Sequence, residues 1–182
     1  MPGWANRRYV RKGRSRAADA LPIVTFMLLA VLLIAFGYQR WTAEPLAPVT
    51  GWARIADGDS IEIAGGRIRL EGIDAPELHQ TCTDRAGRSW SCGRTAADEL
   101  RNYIAGRDLT CRPSGYDRYR RLLAVCFLAD GSEINAWLVR QGWALAYGRG
   151  YQSEQHDAQA GRSGIWAGTF TPPAEWRKQH PE

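Results

Sequence analysis

The chain has 182 residues, of which 45% are apolar and 24% are charged, and it includes 8 tryptophans. This composition excludes a wholly disordered or a collagen-like chain, and the length suits one folded domain better than two. The net charge of +5 arises entirely within residues 1–20, because the rest of the chain holds as many acidic as basic side chains. Bulk charge therefore says nothing about what the folded part binds.

An uncharged apolar run, residues 21–36, follows this basic tail. Extended to residues 21–38, the segment approaches the roughly 30 Å of a bilayer core, and the basic side chains before it predict a cytoplasmic N-terminus. Two interpretations stay open. The segment is an uncleaved single-pass anchor of the inner membrane with the domain on the periplasmic side, or a signal peptide that is removed on secretion. The lengths of the basic and apolar stretches favour the anchor.

A linker and one folded domain are predicted after this segment. Residues 39–50 contain two prolines and show no periodicity, which is typical of a linker, so the domain is expected over residues 51–182. Hydrophobic periodicity and turn signals define its elements. In chain order we expect strands at 52–56, 59–64 and 67–70, a polar loop at 78–92, a helix at 96–105, a strand at 107–112, a turn at 113–119, a strand at 121–128, and helices at 133–141 and 152–161.

Short strands with two to three helices indicate an α+β or mainly β domain built around a small barrel. Four cysteines lie in this domain, in a chain that is expected to leave the cytosol, so disulfide bridges are predicted. Three pairings are possible, and zinc binding is the rival interpretation, although the cysteine spacing fits no common zinc pattern. We favour Cys82 with Cys92, which would close a loop, and Cys111 with Cys126, which would join neighbouring strands.

Acidic and basic residues gather at three predicted turns. Asp57 and Asp59 flank a glycine, Asp74 and Glu77 surround Ala75-Pro76 after Arg69, and Asp117 begins a run that ends at Arg121. Each segment alone is typical of a plain solvated turn. Oxygen-rich clusters are nevertheless what hard cations such as Ca²⁺ bind, and arginine is suited to phosphate.

The order and spacing of these segments resemble the staphylococcal nuclease family over about residues 52–167. The matching segments are Asp57-Gly58-Asp59, residues 69–77 (RLEGIDAPE), residues 117–124 (DRYRRLLA), residues 135–144 (NAWLVRQGWA) and Gly164-Ile165-Trp166. The resemblance implies a five-stranded OB-type barrel with helices. It also implies a Ca²⁺-dependent phosphodiesterase that acts on DNA and RNA, cuts the bond to the 5′ oxygen and leaves 3′-phosphates.

The resemblance assigns roles to individual residues. It implies Asp59, Asp74 and the backbone carbonyl of Ala75 as Ca²⁺ ligands, and Asp57 as a contributor through water. It implies Glu77 as the general base or water-positioning group. Arg69 and Arg121 would grip the scissile phosphate. This division suits the chemistry, because attack on a phosphodiester adds negative charge that a guanidinium and a divalent cation can stabilise.

Several points stay open at the level of sequence. Arg120 occupies a position where the family usually has glycine, so either Arg120 or Arg121 could contact the phosphate, and strand phase favours Arg121. Substrate bases are expected to stack on Tyr119, and less strongly on Tyr147 or Tyr151. A membrane-tethered OB module that binds nucleic acid or protein without cutting is the alternative function. A monomer is expected.

Overall fold

The computed structural model describes residues 16–41 and 46–181, with the side chains of the first range described over 24–37. The chain divides into two compact units between Glu44 and Pro45. The basic residues before Arg16, part of the predicted linker and the ends of the predicted membrane segment 21–38 lie outside the described side chains.

The first unit contains one helix, α1 (Arg16–Trp41). Its described apolar side chains are largely exposed, as for Phe26 and Ile34. As far as the described residues define them, none of the helices is both long and apolar enough to cross a membrane. The anchor or signal segment therefore stays a prediction from sequence.

The second unit combines strands with helices, which confirms the predicted α+β class. Its strands are β1 (Val49–Gly51), β2 (Ala53–Ile55), β3 (Ser60–Ile63), β4 (Gly66–Leu70), β5 (Ile73–Asp74), β6 (Cys82–Thr83), β7 (Ser89–Trp90), β8 (Leu109–Tyr116), β9 (Leu122–Leu128) and β10 (Leu145–Ala146). Its helices are α2 (Cys92–Ile104), α3 (Ile134–Arg140), α4 (Gln152–Gly161) and α5 (Pro173–Gln179), with a 3₁₀ turn at Gly164–Ala167.

Six strands form the main sheet in the order β1-β8-β9-β4-β3-β2, whereas five were expected. The difference comes from one bent strand. β1 pairs with β8 and β2 pairs with β3, yet only Trp52 separates β1 from β2 in the chain. This strand therefore connects the two edges of the sheet. The β4–β9 pairing is parallel, and the other pairings in the sheet are antiparallel.

Some predicted boundaries were wrong. α2 begins at Cys92 rather than at residue 96, with Ser91 at its N-cap, so Thr95 lies inside the first turn and its hydroxyl donates back to the Ser91 carbonyl at 3.0 Å. β8 continues to Tyr116 through the predicted turn. Its register shifts between Pro113 and Gly115, and such an irregularity accommodates a proline that cannot donate to the ladder.

A further helix, α5, lies beyond every predicted element. Pro173 occupies its first turn and is buried, Glu175 is in the first turn, and Arg177 and Lys178 are in the last. Proline at the start, acid early and base late are favourable helix signals. A helix of seven residues presents too little apolar periodicity for a sequence pattern to reveal it.

Both favoured disulfides are present. Cys82 is bridged to Cys92 with a Cα–Cα distance of 5.6 Å, and Cys111 to Cys126 with a distance of 4.0 Å. The second bridge joins directly paired positions of β8 and β9, in the interior of the sheet. The first bridge fixes the loop after Glu77 to the start of α2.

One buried amide connects the helical layer to the sheet. The Asn135 side chain, fully buried at the start of α3, accepts the backbone N–H of Cys126 at 3.1 Å. Its Nδ2 donates to the carbonyls of Glu71 at 2.9 Å and Ala124 at 3.2 Å. Three backbone groups thus bond to one side chain, and the Ala124 carbonyl also accepts the Glu71 N–H at 2.9 Å. Buried polar groups that lose their partners cost free energy.

We expect Asn135→Ala to lower the free energy of unfolding by about 3 kcal/mol, because it removes three hydrogen bonds and leaves buried backbone groups unpaired. Asn102→Ala, at an exposed position of α2, is the matched control and should change stability by less than about 0.5 kcal/mol. Chemical denaturation of both variants measures the difference. Equal stabilities would contradict the role given to Asn135.

Candidate active site

The paired strands β3 and β4 bring Asp59 and Arg69 together. Asp59 immediately precedes β3, Arg69 lies in β4, and Ser60 pairs directly with Arg69 across the ladder. The backbone N–H of Leu70 donates to the carbonyl of Asp59 at 2.8 Å. Asp74 ends β5, which pairs with β10. Hydrogen bonding between strands thus sets the separation of these side chains before any of them interact.

Arg69 bridges the two aspartates. Its Nη1 contacts Asp59 Oδ1, and its Nη2 donates to Asp74 Oδ1 at 2.8 Å. Asp59 Oδ2 accepts the backbone N–H of Ala75 at 2.8 Å. Asp57 Oδ1 accepts the N–H of Asp59 at 3.0 Å, so the acidic turn folds back on itself. The structure therefore brings together Asp57, Asp59, Arg69, Asp74 and Ala75.

Asp59 is the most deeply buried carboxylate of the cluster. It is 2% exposed, and burial raises the pKa of its carboxyl, with the neighbouring charges of Asp57 and Asp74 acting in the same direction. Arg69 opposes this rise without cancelling it. An additional positive charge beside Asp59 would stabilise its ionised carboxylate against burial and against the neighbouring acids.

Glu77 lies on the loop that follows β5. Its backbone N–H donates to Gln80 Oε1 at 3.2 Å, and Gln80 is fully buried. Its carbonyl packs onto Gly93 of α2, where a built Cβ would stand 1.7 Å from the oxygen. Only glycine permits this approach. The disulfide between Cys82 and Cys92 lies in the same connection, so the Glu77 backbone is held from two directions.

Arg121 reaches the site from the turn before β9. Its Nε donates to Asp117 Oδ2 at 2.7 Å, its backbone N–H donates to Asp117 Oδ1 at 2.9 Å, and its Nη1 is 3.4 Å from Ser60 Oγ. Partial burial acts to raise the pKa of Asp117, but these hydrogen bonds, with one from the Tyr119 N–H, outweigh burial and lower it. The charged form of Asp117 therefore orients Arg121 toward Ser60.

The structure separates Arg120 from Arg121. Arg121 lines the groove that contains the acidic cluster, whereas Arg120 is exposed at the turn with φ of 62°. A positive φ of this size favours glycine, which explains why glycine suits the position. The choice of Arg121 from strand phase agrees with this placement.

Arg177 of α5 is a site residue that sequence reasoning missed. Its Nη1 donates to Asp74 Oδ1 at 3.0 Å and to Glu77 Oε1 at 2.6 Å, and its Nη2 donates to Asp74 Oδ2 at 3.2 Å. Burial acts to lower the pKa of Arg177, but these two carboxylates raise it overall. The proline and charge pattern around α5 could have indicated a helix. It gives no sign that Arg177 would contact Asp74 and Glu77.

The three tyrosine candidates are placed differently. Tyr119 is 57% exposed and lines the groove, with the guanidinium of Arg118 4.8 Å from its ring centre. Tyr147 is also exposed and lines the groove. Tyr151 is not among the described residues that line it. The Tyr151 ring packs over Gly72, and its hydroxyl donates to Glu133 Oε1 at 2.6 Å, which assigns it to packing.

An open groove of about 1390 Å³ contains the cluster. The residues that carry charge or an aromatic ring along its walls are Asp57, Arg67, Arg69, Glu71, Asp74, Glu77, His79, Asp117, Arg118, Tyr119, Arg121, Tyr147, Trp176, Arg177, Lys178 and His180. Six of these side chains are arginine or lysine and five are aspartate or glutamate. The groove can thus hold an extended anionic ligand against fixed guanidinium groups.

The donor chemistry suits a hard cation in part. No three His, Cys, Asp or Glu side chains are grouped as a metal site within residues 16–41 and 46–181 as described. Two buried carboxylates, Asp59 and Asp74, nevertheless converge on a single guanidinium, and Asp59 lacks full charge compensation. A Ca²⁺ ion commonly adds backbone carbonyls and water to such a carboxylate pair.

Fold and site together define a class of protein. Buried carboxylates, a glutamate on the adjacent loop and oriented arginines in an anion-accepting groove are the groups that phosphodiester hydrolysis uses. Residues 67–168 match the family described as staphylococcal nuclease homologue. The chain therefore belongs to the staphylococcal nuclease family, which confirms the resemblance, and the predicted class of nuclease-type hydrolase is confirmed.

Curated relatives share most of the chain. It is 41% identical over 144 residues to the succinoglycan biosynthesis protein ExoI of Rhizobium meliloti. The aligned residues cover 76% of this chain and 73% of that protein. It is 33% identical to an uncharacterized endonuclease of Escherichia coli O157:H7, covering 68% and 81%. It is 31% identical to an uncharacterized endonuclease of Haemophilus influenzae, covering 86% and 84%.

Arg120→Gly should raise the free energy of unfolding by about 1 kcal/mol, because glycine adopts the positive φ of this turn without the steric cost of a Cβ. Arg120→Ala removes the same charge and keeps the Cβ, so it should give no such gain. Thermal unfolding of the two variants separates backbone relief from loss of charge. A gain shared by both variants would contradict the backbone explanation.

Proposed function

We infer that this chain is a calcium-dependent phosphodiesterase that hydrolyses DNA or RNA and leaves 3′-phosphates. The sheet of its domain is a variant of the OB-type barrel. The enzyme acts as a monomer. The observation that carries the proposal is one groove lined by Asp74, Glu77, Arg69 and Arg121, with the buried Asp59 held against Arg69. Nuclease relatives named as endonucleases support a nucleic-acid substrate.

The arginines bind the scissile phosphate. Arg121 is held by Asp117 with its Nη1 directed at Ser60, and Arg69 is fixed between the two aspartates. A guanidinium has five N–H donors, more than these contacts use, and its planar fork matches two phosphate oxygens. Because both groups are positioned before substrate arrives, they stabilise the charge that develops on the nonbridging oxygens at little cost in reorganisation.

Glu77 accepts the proton of the attacking water. The water oxygen bonds to phosphorus and the bond from phosphorus to the 5′ oxygen breaks. The departing 5′ oxygen takes a proton from solvent water, so the products are a 3′-phosphate and a 5′-hydroxyl. Gln80 and Gly93 hold the Glu77 backbone, so its carboxylate reaches the groove from a fixed origin. General-base assistance of this kind contributes typically about 10²–10⁴-fold to the rate.

Calcium would be held by Asp59 and Asp74, with the carbonyl of Ala75 as a further ligand and Asp57 acting through water. When bound, the cation supplies positive charge beside the scissile phosphate and lowers the pKa of nearby water. Arg177 contacts both carboxylate oxygens of Asp74. Arg177 would therefore compete with a cation for Asp74, as would Arg69, which contacts both Asp59 and Asp74.

The domain acts outside the cytoplasm. The two disulfides suit an oxidising compartment, and the basic tail followed by the apolar segment 21–38 suits either export or a single-pass inner-membrane anchor with the domain in the periplasm. These features support the placement, and fractionation of cells with a tagged chain tests it.

Glu77→Gln should lower kcat on single-stranded DNA and on RNA by at least about 100-fold, because the amide cannot accept the water proton. Arg121→Ala should lower it by a similar factor through loss of phosphate binding. Cleavage by the wild-type chain should require Ca²⁺ and stop with EDTA. Glu99→Gln, on α2 and outside the groove, is the control and should retain full turnover. A well-folded Glu77→Gln variant with normal turnover would refute the assignment, and no cleavage by any form would favour the binding module.

The variant Arg177→Gln should bind Ca²⁺ about fivefold more tightly than the wild-type chain. The substitution removes a guanidinium that competes for Asp74, and a partly exposed ion pair of this kind is worth up to about 1 kcal/mol. Isothermal titration calorimetry of Ca²⁺ in the absence of nucleic acid measures this directly. Lys178→Gln removes the same charge from the same helix without touching the acids, and it serves as the control. Unchanged or weaker binding by Arg177→Gln would show that the two cations do not compete.

A further inference from the structure

Helix α5 forms one wall of the groove, and the helix and the residues just before it contact the rest of the domain at several points. Gln80 Nε2 donates to the carbonyl of Thr171 at 2.6 Å, and Pro173 is buried at the first turn. Arg177 adds its ion pairs with Asp74 and Glu77. The helix is therefore held next to the acidic cluster, and its side chains stand at a defined place relative to the scissile position.

Two aromatic rings at the end of α5 are stacked where they meet the groove. The rings of Trp176 and His180 lie parallel within 13°, with centres 4.2 Å apart. His180 is the C-cap of α5, and its Nδ1 lies 3.0 Å from the Trp176 carbonyl. Both residues line the groove, with Trp176 half-buried and His180 exposed.

Cationic side chains flank this ring pair. Lys178 lies between the two rings in sequence and also lines the groove, and Arg177 lies one residue before it. Rings of this kind next to cations are suited to a nucleotide, because the base can stack on the ring while its phosphate meets the positive charge.

We propose that Trp176 and His180 form a base-stacking platform for an unpaired nucleotide that flanks the scissile phosphate. This proposal rests on the proposed nuclease function, because it extends the same groove. The platform adds a subsite on α5, separate from Tyr119 and Tyr147. It recognises single-stranded substrate, since the faces of paired bases are already covered by their neighbours in a duplex.

Binding without cleavage tests the platform. The full chain is titrated, in EDTA, into a fluorescein-labelled thymidine oligomer of roughly ten nucleotides, a length within the range that OB-type grooves hold. The same titration with an oligomer that has the same backbone but lacks bases isolates stacking from phosphate binding. Fluorescence anisotropy gives Kd in both cases.

Trp176→Ala and the double variant Trp176→Ala/His180→Ala should each raise Kd for the thymidine oligomer about tenfold or more. Their Kd for the base-free oligomer should equal that of the wild-type chain. Trp176→Phe keeps a ring and should recover most of the affinity. Trp52→Ala removes an exposed tryptophan outside the groove and should leave both Kd values unchanged. Thermal unfolding confirms that each variant is folded.

Two results would overturn the platform. One is wild-type affinity of Trp176→Ala for the thymidine oligomer, and the other is an equal loss of affinity for both oligomers. The outcome is separable from the nuclease proposal. If no form cleaves but the ring variants lose base-dependent affinity, the hydrolysis fails and the platform stands. If the chain cleaves and the ring variants bind normally, the platform alone fails.

Discussion

The contact of one guanidinium with two buried aspartates is the interaction on which the site depends. Arg69 joins Asp59 to Asp74. Arg69 comes from β4 and Asp59 from just before β3 in the main sheet, whereas Asp74 comes from β5, which pairs separately with β10. Without this cation, two largely desolvated carboxylates would stand side by side, an arrangement that raises their pKa values and disfavours the folded state. The bridge thus allows the chain to fold around an excess of negative charge that function requires.

Ladder hydrogen bonds, more than the ion pairs themselves, determine the positions of these groups. Ser60 faces Arg69 across β3 and β4, and β4 runs parallel to β9, which begins one residue after Arg121. Strand pairing therefore places residues from distant parts of the chain close together before their side chains interact. Asn135 fixes the segment after β4 to β9 through its contacts with Glu71 and Ala124.

Period and turn chemistry predicted what is local or periodic: the strands around Asp57-Gly58-Asp59, helix α3, and both disulfide pairings. The placement of Arg121 followed from strand phase in the same way. What the pattern missed depends on tertiary contact. α2 begins at Cys92, which is bridged to the distant Cys82. The seven residues of α5 are held through the contact of Gln80 with Thr171 and through the ion pair of Arg177 with Glu77, 100 positions away in the chain. No local pattern reports such partners.

The same contacts that hold α5 in place also restrain the acids that chemistry needs. Arg177 covers Asp74 and Glu77, which lowers the repulsion among the carboxylates of Asp59, Asp74 and Glu77. A substrate phosphate brings its own negative charge and attracts the same guanidinium. Arg177 can therefore exchange a carboxylate for a phosphate at little net electrostatic cost. Attachment through Gln80 and Pro173 keeps α5 at the groove during such an exchange, so a nucleotide that draws Arg177 away from the acids meets the wall formed by Trp176 and His180.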